Sequence, residues 1–137
     1  MDAEVTAGVK TYRKSDDGYF YVNGRKSNFK ISEFACKDGT DEMLVDSELV
    51  EKLQIMREHF HSPVLINSAY RTEKHNADVG GSPNSQHLKG KAADIVVSGV
   101  PSSSVANFAK IIGFRGVGLY STFTHVDTRE TTSYWNG

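Results

Sequence analysis

Ser85-Gln86-His87-Leu88-Lys89-Gly90-Lys91-Ala92-Ala93-Asp94-Ile95-Val96-Val97 passes from a polar stretch into an apolar one. Its last six residues, Ala92 to Val97, read as a buried strand that ends at Ser98-Gly99. Aspartate is disfavoured in strands, yet Asp94 sits just before Ile95-Val96-Val97. A carboxylate taken out of water needs hydrogen bonds, a counter-charge or a metal. Hydrogen bonds to loop amides at a strand end would satisfy Asp94 as well as a metal would. Gly90 and Ala92 are small enough for a tight turn from loop to strand, which would return His87 to the side of Asp94.

A second stretch, Phe123-Thr124-His125-Val126-Asp127, alternates. Strand periodicity puts Phe123, His125 and Asp127 on one face. Taken alone, that face reads more simply as solvated, with a His–Asp contact. Two imidazoles and one carboxylate are, however, a three-ligand set for catalytic zinc, with a fourth position left for water. The chain holds one cysteine, Cys36, so neither an internal disulfide nor a cysteine cage is available. Cys36 itself reads as a small buried apolar residue.

Around these stretches the pattern mixes helices and strands without regular alternation. Asp46 is a plausible N-cap for a helix over 46–60, with Leu49, Val50, Leu53, Met56 and Phe60 as its core stripe. After Pro63, Val64-Leu65-Ile66 reads as a short buried strand. Residues 71–91, punctuated by Gly80-Gly81, Pro83 and Asn84, read as a long polar loop, a kind that is usually functional or disordered. A second helix is expected from Pro101, capped by Ser102–Ser104 and stopped at Gly113, with strands over 116–120 and 123–128. Tyr19-Phe20-Tyr21-Val22 followed by Asn23-Gly24 suits a hairpin in an N-terminal arm of residues 1–26, leaving 27–135 as the body. The expected class is α+β: a small antiparallel sheet with helices packed on it, in one domain over 1–137.

The 137 residues carry a formal net charge of −1, which supplies no basic field for nucleic acid. No apolar run is long enough to span a membrane. The N-terminus Met1-Asp2-Ala3-Glu4-Val5 lacks the basic start and apolar run of a signal peptide, so synthesis in the cytoplasm is expected. His59, His61 and His75 read as incidental, Tyr70 and Tyr120 as packing residues more than hydrogen-bond donors to a transition state, and Trp135 as a cover for the core.

Ser85-x-His87-x-x-Gly90-x-Ala92-x-Asp94 resembles the signature of the zinc D-alanyl-D-alanine carboxypeptidases, peptidase family M15. That family includes peptidoglycan endopeptidases of bacteria and phages, and hedgehog signalling domains share its fold. Ser68-x-Tyr70-Arg71-Thr72, with Asn76 and Val79-Gly80-Gly81, resembles its first motif block, and Phe123-x-His125-Val126-Asp127 its last. Asn28-Phe29 through Glu33-Phe34-x-Cys36 also finds a counterpart, so the likeness runs over about residues 27–135. It implies a hedgehog/DD-peptidase-like fold and one zinc ion held by His87, Asp94 and His125. Arg71 would bind a substrate carboxylate or polarise the scissile carbonyl. Ser85 and Gln86 would make substrate or supporting contacts.

The implied substrate is a peptidoglycan stem peptide or cross-link. The implied enzyme is a monomer acting on the cell wall, with phage-type release or virion association as routes. The sequence departs from the family where several members carry an acidic general base three residues before the last ligand, because Thr122 stands there. Asp127 is the nearest acidic candidate, as base, as the group that orients His125, or as a sharer of the metal. The departure also keeps open a zinc-containing module that binds wall or protein without cutting.

Overall fold

Ala92–Val97 forms a strand, and it lies inside a five-stranded sheet. The computed structural model describes all 137 residues. In chain order the strands are β1 (Ala3–Glu4), β2 (Val9–Arg13), β3 (Tyr19–Val22), β4 (Arg25–Lys30), β5 (Glu42–Asp46), β6 (Val64–Ser68), β7 (Ala92–Val97), β8 (Gly116–Leu119), β9 (Thr124–Asp127) and β10 (Ser133–Asn136). The helices are α1 (Ser47–Phe60), α2 (Glu73–Asp78) and α3 (Ser102–Ile111). The central sheet runs β10-β8-β9-β7-β6. Its β6–β7, β7–β9 and β8–β9 pairs are antiparallel, while β10 joins β8 in parallel. The class is therefore α+β as expected, with two parallel pairs that the pattern did not announce: β10–β8 here and β1–β3 in the N-terminal sheet. No helix is long and apolar enough to cross a membrane.

Burial explains the pattern of β7. All its residues but Val96 are buried, because α1 and α3 pack on the sheet around it. The α1 stripe of Leu49, Val50, Leu53 and Met56 is buried as its spacing predicts. Asp46 caps the helix by accepting from the Glu48 amide (3.4 Å), and His61 ends it in the left-handed region (φ 52°). The start of α3 differs from expectation. Pro101 occupies the cap position and no side chain caps the helix. Ser102 instead donates its hydroxyl to the Tyr120 carbonyl (2.7 Å), and Thr124 donates to the Ser102 carbonyl (3.1 Å). These bonds tie the helix start to the β8–β9 connection.

The N-terminal hairpin turns at Asn23-Gly24, both with positive φ (52° and 74°), as a type I′ turn requires. It is not a detached arm. Phe20 is fully buried, with Tyr12 and Phe34 edge-on to it at 4.9 and 5.4 Å between centroids. β2 pairs with β5, which leads directly into α1. A single cluster of 22 buried hydrophobic residues runs from Phe20 to Val126, including Phe29, Phe34 and Ile95.

The polar stretch 71–91 carries more structure than a loop. Thr72 caps α2 by accepting from the His75 amide (3.1 Å). Ser85 caps a 3-10 turn, Gln86–Lys89, by accepting from the His87 amide (3.2 Å). Gly90 closes that turn with φ 74°, and a Cβ there would run into the Leu44 backbone. A glycine is thus required by both conformation and space.

Candidate metal centre

β7 and β9 place Asp94 directly opposite His125 in their antiparallel register. The 3-10 turn brings His87 over the same spot. His87 Nε2 lies 3.3 Å from Asp94 Oδ2, and His125 Nδ1 lies 3.0 Å from Asp94 Oδ1. One ligand atom from each residue falls within 4.8 Å of the other two.

The outward nitrogens decide the chemistry of the inward ones. His87 Nδ1 is 2.6 Å from the Ala69 carbonyl, which can only accept, so Nδ1 carries the hydrogen. His125 Nε2 is 2.7 Å from Asp127 Oδ2 and likewise donates. With a cation bound, the inward nitrogens, His87 Nε2 and His125 Nδ1, can offer it their lone pairs; without one, His125 Nδ1 can donate to Asp94 Oδ1. Asp94 takes cationic charge from Arg71 Nη2 at 3.3 Å, and the three inward ligand atoms leave a place for a divalent cation beside it. A zinc ion suits this donor set of two imidazoles and one carboxylate, whose outer nitrogens are held by the Ala69 carbonyl and Asp127.

Without a metal, the same contacts act as hydrogen bonds between the imidazoles and the carboxylates. Burial raises the Asp94 pKa, but hydrogen bonds from His125 and His87 outweigh it and hold the carboxyl well below its usual range. Burial alone would lower the His125 pKa, yet hydrogen bonds to Asp127 and Asp94 raise it overall. Asp127 is pushed up by burial and down further by Arg129 and His125, so it stays ionised.

The three side chains open onto a cleft of about 530 Å³. Arg71, Ser85 and Gln86 line it too, so all three lie beside the cluster. Arg71 is pinned by Ser68 through Nε (3.0 Å), by Asn76 through Nη1 (3.2 Å) and by Asp94 through Nη2 (3.3 Å). Gly81 sits so close that a Cβ would collide with the Asn76 amide, which explains one glycine of the Gly80-Gly81 pair. Asp127 lies behind His125, fully buried and outside the cleft lining. Arg129 donates to both of its oxygens, through Nε at 2.9 and 3.1 Å and Nη2 at 2.6 Å. Thr122 faces a different hollow, between β7 and α3.

Sequence reasoning missed Arg129 and gave Trp135 and Tyr120 packing roles away from the cleft. Arg129 follows the last motif without any pattern of its own. Trp135 does not cover the core; β10 carries it against the site, with its ring centroid 5.1 Å from that of His125. Tyr120 also lines the cleft, stacked on Phe123 at 4.4 Å. The missed signal was Gly116-Val117-Gly118. Gly116 pairs across the sheet with Asp127, and Gly118 with His125 and, on its other side, Trp135. A Cβ at Gly116 would collide with the Asp127 carboxylate, and one at Gly118 with the Trp135 indole.

A family model described as Peptidase M15 matches residues 27–127 of this chain, which include every residue of the cluster. The chain belongs to the peptidase M15 family. Among its M15 relatives, a probable peptidoglycan L,D-endopeptidase of Haemophilus influenzae is 40% identical over 84 residues, covering 56% of this chain and 45% of that protein. A zinc D-Ala-D-Ala carboxypeptidase of Streptomyces albus G is 36% identical over 67 residues, covering 48% of this chain and 26% of that protein. The chain thus spans less than half the length of the curated relatives it matches. Their M15 kinship agrees with the zinc expected from the donor set.

Proposed function

We propose that this M15 chain is a zinc peptidase that hydrolyses amide bonds in peptidoglycan stem peptides or cross-links. The observation that carries the reading is the convergence of His87, Asp94 and His125 on one point at the floor of an open cleft. Two relatives named for peptidoglycan endopeptidase and D-Ala-D-Ala carboxypeptidase activity supply the substrate class. Zinc held there would act as a Lewis acid and bring the pKa of a bound water to about 7, within reach of neutral pH.

The chain's own residues do the rest. His87, Asp94 and His125 are the ligands. The Ala69 carbonyl and Asp127 fix which nitrogen of each imidazole faces the metal. Asp127, with both oxygens engaged and no exposure, serves this orienting role rather than that of a base in the cleft. Arg71 is held at the cleft wall, where its guanidinium meets a terminal carboxylate or the scissile carbonyl. Gln86, with no internal side-chain hydrogen bond, offers its amide to the peptide backbone of the substrate, and Ser85 keeps the His87 turn in place. The terminal carboxylate or interior peptide that fills the cleft decides between the carboxypeptidase and endopeptidase modes.

One observation favours a second reading. Asp94 is the sole carboxylate lining the cleft, so the domain could bind wall peptide over zinc without cutting it. Purified peptidoglycan separates the two. The peptidase reading expects new amino groups with the metal-loaded protein and none after chelation. Sedimentation with the wall without amine release would establish the binding module instead.

A further inference from the structure

The β10 strand has a consequence for the chemistry. Trp135 Nε1, which can only donate, sits 2.9 Å from the Tyr120 hydroxyl oxygen. This is the only hydrogen bond the phenol makes within the protein. Its oxygen is therefore engaged as an acceptor, and its own O–H hydrogen has no acceptor in the chain. Both rings line the cleft beside His125.

Four features fix the pair in place. The Tyr120 ring stacks on Phe123 with an interplanar angle of 8°. The Tyr120 carbonyl is anchored by the Ser102 hydroxyl at the start of α3. The indole lies over Gly118, where any side chain would displace it. Its other neighbour is the Arg129 guanidinium, 5.0 Å from the ring.

A phenol that accepts from the indole keeps its own O–H free to donate, and here its ring lines the cleft that holds the cluster. We infer that the Tyr120 hydroxyl, set by the Trp135 indole, donates to the oxygen of the scissile amide as negative charge builds on it. The inference rests on the peptidase reading above and adds a catalytic residue, Tyr120, and a positioning residue, Trp135. Neither requires a proton to leave the phenol. The hydroxyl shares its hydrogen with the developing oxyanion and recovers it when the carbon–nitrogen bond breaks.

The test uses the zinc-loaded protein, a cleavable stem peptide and a phosphinate analogue of that peptide that mimics the tetrahedral state. Loss of a donor that acts only at the transition state lowers kcat and leaves KM in place. Y120F is expected to lower kcat about a hundredfold, the usual effect of one such donor, with KM and zinc content unchanged. Its calorimetric affinity for the phosphinate should fall by a similar factor, while affinity for the product peptide holds. W135F keeps the phenol but frees its rotation, and is expected to lower kcat about tenfold, the scale of a single hydrogen bond. Wild-type kcat and phosphinate affinity in Y120F would overturn this inference and leave the peptidase reading intact. Loss of zinc from Y120F would make the tyrosine structural and overturn it too. A wild-type protein that neither cuts the peptide nor binds the phosphinate would overturn both.

Discussion

At the residue scale, the cluster turns on which nitrogen of each histidine faces inward. The assignment follows from a carbonyl at Ala69 and a carboxylate at Asp127, both acceptors. H87A removes one inward ligand from the 3-10 turn, outside the main hydrophobic cluster. It should abolish zinc binding by elemental analysis while the thermal unfolding transition stays cooperative. Asp127→Asn discriminates between orienting and base roles. Loss of a supporting partner typically weakens metal affinity about 10–100-fold, so a competition titration with a zinc chelator should show that drop. Unchanged affinity with lost turnover would make Asp127 the base. The candidate set came from the motif resemblance; from the residues alone only Asp94 stood out, as an aspartate in a strand, while the face of His125 read as solvated. The roles of Arg129 and Trp135 were not legible, because an arginine in a turn and a tryptophan near a terminus look ordinary until the fold brings them to one cleft.

Elements place those residues, and glycines make the placement possible. In β8 the cross-strand neighbours of Asp127 and His125 are Gly116 and Gly118. Their missing side chains make room for a carboxylate and an indole. Gly116→Ala forces new volume into a fully packed spot, which typically costs about 1–3 kcal/mol. It should lower the unfolding free energy measured in urea by that amount and weaken zinc binding by displacing Asp127. A variant with wild-type stability and affinity would mean that β8 gives way freely. Strong periodicity made α1, α3 and β7 readable to within a residue or two. α2 and the 3-10 turn escaped because each is a single capped turn with no apolar stripe. β10 escaped because its partner, β8, lies beyond the whole of β9, and local pattern carries no information on pairing.

Across the whole molecule, residues 1–26 and the body share one core through Phe20. Truncating a buried phenylalanine typically costs about 3–5 kcal/mol, so F20A should lose cooperativity or much of its stability in urea. An arm that merely leads into the body would tolerate the change. Long-range charge pairs close the structure in the same way. Arg115, just before β8, forks onto Glu48 of α1 at 2.9 Å through each nitrogen and also donates to the Thr128 carbonyl (2.9 Å). Thr128 donates to Asp46 at 2.6 Å, so the segment that carries Asp127 and Arg129 is bolted to the start of α1. The Arg115 hydrogen bond outweighs burial and lowers the Glu48 pKa, and Asp94 and Asp127 are lowered as well. A carboxylate whose folded pKa is depressed contributes its full stability above the unfolded value of about 4. That contribution is lost as pH falls through the folded pKa. Urea midpoints of the metal-free protein should therefore fall steadily below about pH 4, and E48Q should flatten part of that slope. The N-terminal integration was hidden from the sequence because the β2–β5 pairing spans the intervening hairpin, while the hairpin itself was legible from Asn23-Gly24. All of this serves one point where three side chains meet, and X-ray absorption at the zinc edge reads that point directly. Nitrogen and oxygen ligands at about 2.0–2.2 Å are expected, with the multiple scattering of two imidazoles and no sulfur. A sulfur shell at about 2.3 Å, or fewer than two imidazoles, would contradict this set of ligands.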